Sequence, residues 1–490
     1  MEGRFNVKAV IAVIDKRGEN AAPKVISVLE KIAPMGMTHF GLATPTTLTT
    51  AENFEDMQAK KIDSPIAVGT VSSTVSGQDE PQMLKLEDAM LAFEGRIYSP
   101  APKGTAINFV AGKMQGDYAK ALTAFLKGVE GDFSILIAQS DRILAARDPV
   151  GVQPLYYGEN AHIAALASNR KALWTLGIEE PNSFPPGHIA WITKEGFKFE
   201  PAQTLTFNEP KPMGMKQAAE ELQKMLEHSV QTRVSGQKDI AVAFSGGLDS
   251  SVVAFLAKEC NVNVHLIHVS LEGQSETYEA RKAADELDLP LKVHLFTEED
   301  VEKTVSKVVE LIEEPDPIKA SVGVPFYWNA QKAASEGFRV MLAGQGADEL
   351  FGGYQRYVNE YILEGDEAVR KTMFHDVSLI HESNIERDEK ICGFHDVELR
   401  LPFASLQIAE FAMGLPTGLK IEKRADSLRK VVLRKTAENM GLSKDIAEKP
   451  KKAVQYSTGI NNALKKIAKK HNLTLTEYVN QIFLEVKSKS

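Results

Sequence analysis

Residues 244–251, with the sequence Phe-Ser-Gly-Gly-Leu-Asp-Ser-Ser, constrain the fold most strongly, because their flanks favour a strand before them and a helix after them. Residues 239–244 form a short apolar run with the length and composition of a strand, and residues 252–260 form an apolar stretch compatible with a buried helix. Such a connection directs several backbone N–H groups and the positive end of a helix dipole at one point. The sequence therefore predicts an anion site.

The composition of this loop predicts that the anion is a phosphate with a metal ion beside it. Gly246 and Gly247 let the backbone approach an anion closely, and a carboxylate at Asp249 makes sense beside phosphates mainly as a Mg²⁺ ligand. The serines of the run supply hydroxyl donors: Ser245, Ser250 and Ser251. No lysine follows the glycines, so the run is not a Walker A loop. Its residue order resembles the pyrophosphate loop of the N-type ATP pyrophosphatases, whereas a plain strand-to-helix turn is the alternative.

Composition predicts an ordinary soluble enzyme of two or three domains. The chain has 490 residues, 43% hydrophobic and 25% charged, with a net charge of −9. This acidic balance argues against binding to nucleic acid or to a membrane surface. The two cysteines, Cys260 and Cys392, are far apart and exclude a disulfide framework. No apolar run approaches the ~20 residues that span a bilayer, and we expect a cytoplasmic protein.

The pattern of apolar runs changes near residue 207 and predicts two domains. Residues 1–206 contain many short β-like runs separated by turns, with helical candidates at 22–33 and 119–126, which predicts a layered α+β domain. Residues 207–214 carry two prolines and a glycine and are the best linker candidate. Residues 215–490 begin with an amphipathic helix, alternate strands and helices as βαβ units do, and become mainly helical after Tyr354.

A second glycine-rich loop has a sequence pattern similar to that of the first. Residues 340–354 read as an apolar strand, a Gly-Gln-Gly turn, two acidic residues and a Gly-Gly pair. In a doubly wound sheet, the loops at the carboxyl ends of neighbouring strands face one crevice, so Asp249 and Asp348 could converge on Mg²⁺. The alternative is that Asp348 and Glu349 are only an acidic pair at a helix N-terminus.

Together the two loops resemble the class B asparagine synthetase family. Supporting segments lie at residues 318–321, 386–390, 397–403 and 449–459, and they cover most of residues 215–460. The first half is similar, more weakly, to a class II glutamine amidotransferase domain, through residues 93–98, 129–133, 146–156 and 167–173. The resemblance implies an α/β protein: an N-terminal Ntn-hydrolase-like layered domain, then a doubly wound parallel-sheet ATP pyrophosphatase domain with a helical C-terminal part.

The resemblance also implies an activity and roles for matching positions. ATP would adenylate the side-chain carboxylate of aspartate, and ammonia would displace AMP to give asparagine. Adenine and ribose would be held by Ala243, Val269, Ala343 and Gly344; pyrophosphate and metal would be held by Ser245, Gly246, Gly247, Leu248, Asp249, Ser250, Ser251, Lys319 and Asp348. Lys452, or else Lys451, would bridge the α-phosphate; a solvated loop is the alternative for these lysines.

Departures from the family predict that the first half is a pseudo-glutaminase. The family's nucleophilic Cys follows the initiator Met, but position 2 is Glu2 and no cysteine precedes Cys260. Glu94 stands where an amide should donate to an oxyanion, and Arg96 would repel the ammonium group of glutamine. The family's Arg-His-Arg-Gly-Pro-Asp element has become residues 35–41. We therefore predict a ligase that uses free ammonia or ammonia from a separate glutaminase.

The synthetase half also departs from the family's sequence pattern at one functional position. Gln345 stands where the family has a Glu thought to deprotonate the nucleophile, and an amide cannot act as a base. Glu349 or Glu314 could take over this role, the nucleophile could arrive as neutral ammonia, or the acceptor could differ. Lys319 stands where many members carry Arg, which keeps the charge but loses the bidentate fork.

Three alternative functions remain open at this point. β-Lactam synthetases and lasso-peptide cyclases resemble the family, lack the amidotransferase Cys and use an intramolecular amine. A catalytically silent regulator would not need the two metal-ligating aspartates. A tRNA-thiolating enzyme is disfavoured by the acidic surface and by the missing cysteine relay. The sequence allows a homo-oligomer and leaves the acceptor carboxylate open.

Overall fold

The computed structural model describes residues 9–32, 39–58, 60, 62–72, 82–425, 428–450 and 458–488. The chain forms two compact units. Unit 1 comprises residues 1–204 together with 393–396 and 485–490, and unit 2 comprises residues 205–392 and 397–484.

Unit 1 is built on two antiparallel sheets. The first has the strand order β11-β9-β10-β1-β4-β2-β3, and the second has the order β13-β12-β8-β7-β6-β5. The strands are β1 (Ala9–Asp15), β2 (His39–Ala43), β3 (Leu48–Ala51), β4 (Ile66–Ser72), β5 (Met83–Lys85), β6 (Met90–Ser99), β7 (Glu130–Ala138), β8 (Ile143–Arg147), β9 (Tyr156–Glu159), β10 (Ile163–Ala167), β11 (Asn182–Ser183), β12 (His188–Thr193) and β13 (Gly196–Pro201).

Helices cover the outer faces of both sheets, which gives unit 1 four layers. They are α1 (Ala22–Ile32), α2 (Phe54–Gln58), α3 (Ala106–Lys113), α4 (Tyr118–Gly128) and α5 (Arg170–Thr175). Strand β1 explains the layering, because it is buried on both sides. Ile11 and Val13 pack beneath α1 with Val25, whereas Val10 and Ile14 pack in the core between the two sheets. Alternate residues of a strand face opposite sides of its sheet.

Unit 2 is built on one parallel sheet with the strand order β16-β15-β14-β17-β18. Its strands are β14 (Asp239–Ala243), β15 (Asn263–Leu271), β16 (Leu291–Phe296), β17 (Val340–Leu342) and β18 (Glu398–Arg400). All four pairings are parallel. The strand order changes direction between β14 and β17, and in such sheets ligands bind outside the carboxyl ends of the strands at this point.

Helices surround the sheet of unit 2. They are α6 (Met215–Val234), α7 (Leu248–Lys258), α8 (Glu276–Leu287), α9 (Glu298–Ile312), α10 (Pro317–Ser335), α11 (Ala347–Phe351), α12 (Gln355–Leu363), α13 (Asp366–Ser378), α14 (Glu386–Phe394), α15 (Leu406–Gly414), α16 (Val431–Met440), α17 (Lys444–Ala447), α18 (Ile460–Lys470) and α19 (Leu475–Lys487), with the last residues of α14 and α19 counted in unit 1. A π-helical turn at His381–Ile385 precedes α14.

The predicted fold class is confirmed: a layered α+β part precedes a doubly wound parallel sheet. The prediction of a mainly helical chain after Tyr354 overlooked β18, a three-residue strand that pairs with β17. So short a strand shows little periodicity, and its pairing depends on a distant partner.

The predicted linker belongs to unit 2, and two of its residues are hydrogen-bonded to other parts of that unit. The Lys211 backbone N–H donates to the Gly414 carbonyl at 2.9 Å, and Arg370 Nη2 donates to the Asn208 carbonyl at 2.7 Å. The division into domains 1–206 and 215–490 with a linker at 207–214 stays a prediction.

Among the residues that the structure describes, none of the helices has the length and apolar character that crossing a membrane requires.

Candidate active site

The two glycine-rich loops meet at the point where the strand order of unit 2 reverses. One loop connects β14 to α7 and the other connects β17 to α11. They touch so closely that a Cβ atom on Gly344 would lie 2.8 Å from Asp249 Cβ. The glycine at this position is therefore required by the contact between the loops.

The first loop presents the N-terminus of α7 to the crevice. Gly246 adopts a φ of +67°, and a Cβ there would lie 2.7 Å from Ala280 Cα, so any larger residue is excluded. The exposed Ser245 hydroxyl lies 3.2 Å from Ser250 Oγ and accepts from the Gly247 N–H at 3.3 Å. The first N–H groups of a helix have no partner within it, so this loop can receive an anion.

Two residues of the loop have buried side chains. The Ser251 side chain is fully buried, and its hydroxyl has no hydrogen-bond partner among the described residues. Leu248 is buried in the core of unit 2. The assignment of Leu248 and Ser251 to the phosphate site stays a prediction.

Asp249 and Asp348 converge on one position, and the ammonium group of Lys430 occupies it. Lys430 Nζ donates to both carboxylate oxygens of Asp249 at 2.7 Å and lies 2.7 Å from Asp348 Oδ1. The Lys430 side chain is 1% exposed, whereas the two carboxylates are 14% and 17% exposed. A Cβ on Gly353 would lie 1.8 Å from Asp348 Oδ1, which explains the Gly-Gly pair after α11.

These carboxylates fit a magnesium ion. The ammonium group stands where a cation would be placed by the two loops, and carboxylate oxygens are the ligands that Mg²⁺ prefers. Within the described residues, no group of three or more His, Cys, Asp and Glu side chains could hold a metal. Mg²⁺ at this position would therefore need further oxygens from phosphate and water, which is how Mg²⁺ is commonly bound.

Lys430 was missed from the sequence. It immediately precedes α16 and has a left-handed backbone with a φ of +62°. The Val431 N–H donates to the Lys420 carbonyl at 2.9 Å, which fixes the chain at this point. Nothing in the local pattern separates Lys430 from the neighbouring Arg429, since its partners lie far away in the chain.

Gln345 lies in the second loop and is tied to a buried ion pair. Its Nε2 donates to Asp388 Oδ2 at 2.6 Å. Asp388 is fully buried and accepts from Arg387 Nε at 2.7 Å and Nη2 at 2.9 Å. Burial raises the pKa of the Asp388 carboxyl, and the charge and hydrogen bonds of Arg387 oppose this rise.

Glu349, a candidate base from the sequence, lies beneath the loop. Its Oε1 accepts from Tyr354 Oη at 2.5 Å and from Asn384 Nδ2 at 2.8 Å, and the residue is 4% exposed. Burial, with the neighbouring charge of Asp348, raises the pKa of Glu349. With these partners Glu349 supports the second loop and does not face the crevice.

Glu314, the other candidate base, forms an ion pair with Lys319 at the start of α10. The two side chains are 24% and 14% exposed. Lys319 is therefore held by a carboxylate in this structure, and a role in phosphate binding would require exchange of that partner.

The positions expected to hold adenine and ribose share one edge of the sheet. Ala243 ends β14, Val269 lies near the end of β15, and Ala343 follows β17. Because β14 lies between β15 and β17 in the sheet, these three positions are neighbours. Gly344 follows in the second loop.

The lysine cluster is described only in part. Lys449 Nζ donates to the Gly246 carbonyl at 3.0 Å and lies 3.3 Å from Glu279 Oε2, so it supports the first loop from behind. Lys451 and Lys452 lie outside the described residues.

In unit 1, the position of the expected oxyanion amide is a buried carboxylate. Glu94 is 6% exposed, and its Oε2 accepts from Ser168 Oγ at 2.5 Å. Ser168 Oγ also accepts from the Val10 N–H at 2.9 Å. Both cysteines of the chain, Cys260 and Cys392, lie in unit 2, so unit 1 contains no thiol.

Comparison with known proteins gives the following matches. The asparagine synthase family description matches residues 221–365 and 360–485, and the glutamine amidotransferase domain description matches residues 110–175. A putative glutamine-hydrolyzing asparagine synthetase 1 of Methanocaldococcus jannaschii is 32% identical over 413 residues, which are 74% of this chain and 76% of that protein.

More distant relatives are longer than the matched region. A glutamine-hydrolyzing asparagine synthetase 2 of Lotus japonicus is 27% identical over 71% of this chain, and a probable one of Schizosaccharomyces pombe is 28% identical over 59%. The matches cover 61% and 55% of those two proteins. A solved glutamine phosphoribosylpyrophosphate amidotransferase of B. subtilis is 15% identical, covers 58% of this chain and 65% of its own and has a TM-score of 0.35, too weak a likeness to argue from.

Proposed function

The chain belongs to the asparagine synthase family, and we propose that it is an ATP-dependent ligase that converts aspartate and ammonia into asparagine, AMP and pyrophosphate. The observation that carries the proposal is the convergence of Asp249 and Asp348, from two loops at neighbouring strand ends, on one cation position. The names of the relatives favour aspartate over the acceptors of β-lactam-forming enzymes.

In the proposed reaction, the aspartate side-chain carboxylate attacks the α-phosphate of ATP and pyrophosphate leaves. The nitrogen lone pair of ammonia then forms a bond to the acyl carbon, the bond to AMP breaks, and the nitrogen loses one proton. This chemistry requires charge neutralisation and exclusion of water more than it requires a nucleophilic side chain.

The first loop is proposed to bind the β- and γ-phosphates. Ser245 and Ser250 offer hydroxyl groups, and Gly246, Gly247 and the start of α7 offer the backbone. Mg²⁺ held by Asp249 and Asp348 would neutralise phosphate charge there. Adenine and ribose would lie at Ala243, Val269, Ala343 and Gly344.

Lys430 is proposed to alternate between partners. In this structure it balances the two carboxylates at 2.7 Å. Asp249 and Asp348 would hold Mg²⁺, which would supply the positive charge there, and the Lys430 ammonium group would then be available to phosphate oxygens nearby, because a lysine acts as a movable point charge. Lys319 and one of Lys451 and Lys452 are proposed as further phosphate ligands.

Free ammonia is the proposed nitrogen donor. The support lies in unit 1, where Glu94 cannot donate to an oxyanion and no thiol is available. A separate glutaminase that supplies ammonia, a homo-oligomeric assembly and a cytoplasmic location remain proposals, the last supported by the low cysteine content of the chain.

The test is ATP–pyrophosphate exchange with a panel of carboxylates. We expect exchange with aspartate and none with glutamate, N-acylated amino acids or no acceptor. Exchange that is independent of aspartate but appears with another carboxylate would overturn the assignment of the acceptor, and no exchange with any acceptor would overturn adenylation itself.

A further inference from the structure

The peptide between Gly246 and Gly247 presents its N–H, and not its carbonyl oxygen, to the crevice. The Gly247 N–H donates to the exposed Ser245 hydroxyl at 3.3 Å. In a trans peptide the N–H and the carbonyl oxygen point in opposite directions, so the Gly246 carbonyl lies on the far side of the loop. An N–H that faces the crevice attracts an anion, whereas a carbonyl oxygen there would repel it.

The backbone of this loop permits both orientations of the peptide. The Gly246 Cα packs on α8, where a Cβ would lie 2.7 Å from Ala280 Cα. Turning the peptide over would leave this Cα in place, but it would give Gly247, whose φ is −88°, a positive φ. Glycine tolerates a positive φ. Another contact therefore has to select the orientation that favours an anion.

Lys449 makes the contact that selects this orientation. Its Nζ donates to the Gly246 carbonyl at 3.0 Å and lies 3.3 Å from Glu279 Oε2 on α8. The Lys449 side chain is 22% exposed and that of Glu279 is 46% exposed. Hydrogen bonds from an ammonium group are stronger than those between neutral groups. A turned peptide would lose this bond, because its carbonyl would point into the crevice.

We propose that Lys449 is a positioning residue for the phosphates of ATP, because it holds the Gly246 carbonyl and so keeps the Gly247 N–H directed at them. Glu279 holds the ammonium group in place. The proposal rests on the proposed function, in which the first loop binds the β- and γ-phosphates. Lys449 acts through the peptide and does not touch ATP, unlike the role proposed for Lys451 or Lys452.

The segment that carries Lys449 is also held to α8 by other side chains. Lys282 of α8 forms an ion pair with Asp445 of α17. Ser443, the residue before α17, donates to Glu286 of α8. Removing the ammonium group of Lys449 therefore leaves α17 attached to α8, and the loss falls on the peptide of the first loop.

The experiment measures the binding of ATP, pyrophosphate and adenosine to the full chain in the presence of Mg²⁺. Lys449→Met should weaken ATP and pyrophosphate about tenfold, because one charge-assisted hydrogen bond no longer holds the peptide. Adenosine has no phosphate and should bind as it does to the wild type. Lys444→Met is the matched control, since it removes an exposed lysine of α17, and it should leave all three affinities unchanged.

A second variant separates positioning from long-range attraction between charges. Glu279→Gln removes a negative charge near the first loop, which by itself would strengthen the binding of ATP. If Glu279 holds Lys449 in place, the variant should instead weaken ATP about two- to fourfold, as expected for a partly exposed ion pair. Adding Glu279→Gln to Lys449→Met should cause no further loss, because Glu279 acts only through Lys449.

The outcomes separate failure of this inference from failure of the proposed function. Unchanged ATP and pyrophosphate affinities in Lys449→Met, with aspartate-dependent exchange in the wild type, would overturn the inference and leave the proposed function standing. Equal weakening of ATP and adenosine, or tighter ATP binding in Glu279→Gln, would also overturn it. If the wild-type chain binds no ATP and shows no exchange, the proposed function fails, and the inference fails with it.

Discussion

Unit 1 and unit 2 each contain a cluster of buried or partly buried charged side chains, and the groups that satisfy the charges of these two clusters differ. In unit 1, the fully buried Arg147 donates to the backbone carbonyls of Gln153, Gly151 and Phe184 at 2.7–2.8 Å. Asp148 accepts from backbone N–H groups, including that of Gly151 at 2.7 Å. These charges hold a turn together.

At the candidate site of unit 2, the charges are satisfied by side chains from separate elements. Lys430 lies before α16, Asp249 begins α7 and Asp348 begins α11, and the three meet at the carboxyl ends of β14 and β17. A buried charge that is hydrogen-bonded to the backbone of a nearby turn stabilises one conformation of that turn. A cation that is shared by two loops can instead be replaced by another cation. The proposed function assigns the ligase reaction to the cluster in unit 2, and the prediction that unit 1 hydrolyses no glutamine is tested below.

The largest expected effect is on the cation position of unit 2. Asp249→Asn should lower aspartate-dependent AMP formation by about 10²- to 10³-fold, because it removes charge that organises the phosphate site. The measurement is the rate of AMP release at saturating ATP and aspartate. Asp285→Asn, on the exposed face of α8, is the matched control and should be unaffected. A rate within a few-fold of wild type would show that Asp249 does not serve the reaction.

Replacing Lys430 should show whether its ammonium group and Mg²⁺ compete for the carboxylates of Asp249 and Asp348. Lys430→Met leaves two carboxylates without their shared ammonium group and should lower stability by up to about 3 kcal/mol. Millimolar Mg²⁺ should then raise the thermal midpoint of the variant more than that of the wild type, since a ligand of the native state stabilises it.

The control for this prediction is Lys435→Met, which removes an exposed lysine of the same region that lies 2.9 Å from Glu438. Its melting curve should respond to Mg²⁺ as the wild type does. Equal Mg²⁺ responses in Lys430→Met and the wild type would argue that the two carboxylates do not bind the metal.

A smaller effect is expected in unit 1. Glu94→Gln replaces the carboxylate with an amide but supplies no thiol, so glutamate release from glutamine should stay at background. The weaker hydrogen bond to Ser168 should cost about 1–2 kcal/mol of stability. Ammonia-dependent asparagine formation should not change. Glutaminase activity in the variant would mean that unit 1 holds a nucleophile we have not identified.

The last prediction concerns the dependence of stability on pH. Burial, with the nearby charge of Arg370, lowers the pKa of Lys420 to about 7. An unfolded lysine keeps its proton to about pH 10, so between these values the unfolded chain binds more protons and stability rises with pH. Below about pH 7 both states are protonated, and this contribution does not vary.

Lys420→Met should remove this rise, so the difference in thermal midpoint between variant and wild type should change steadily from pH 7 to 10. Lys435→Met serves again as the exposed control. Parallel stability curves for Lys420→Met and the wild type would indicate that Lys420 stays charged in its buried position.

The sequence predicted those parts of the molecule whose signals are local. The first loop is predictable because Gly246 and Gly247 mark a close approach of the backbone, and the following residues have the composition of a helix. The layered first unit is predictable from the turn signals between its short strands. The convergence of Asp249 and Asp348 followed from the rule on neighbouring strand ends.

What the sequence could not show depends on long-range contacts. Lys430 reaches partners 181 residues away in the chain, as its hydrogen bond to Asp249 shows. Asp388 is 43 residues from Gln345, and nothing in its local pattern marks it as the partner of that amide.

The central claim is that unit 2 forms asparagine while unit 1 hydrolyses no glutamine. The source of the nitrogen in asparagine tests this claim most directly. The purified chain is given ATP, Mg²⁺, aspartate, unlabelled ammonium and glutamine labelled with ¹⁵N at the amide, and asparagine is analysed by mass spectrometry. We predict unlabelled asparagine and no release of glutamate above background. Labelled asparagine formed in step with glutamate release, without a partner protein, would contradict the account.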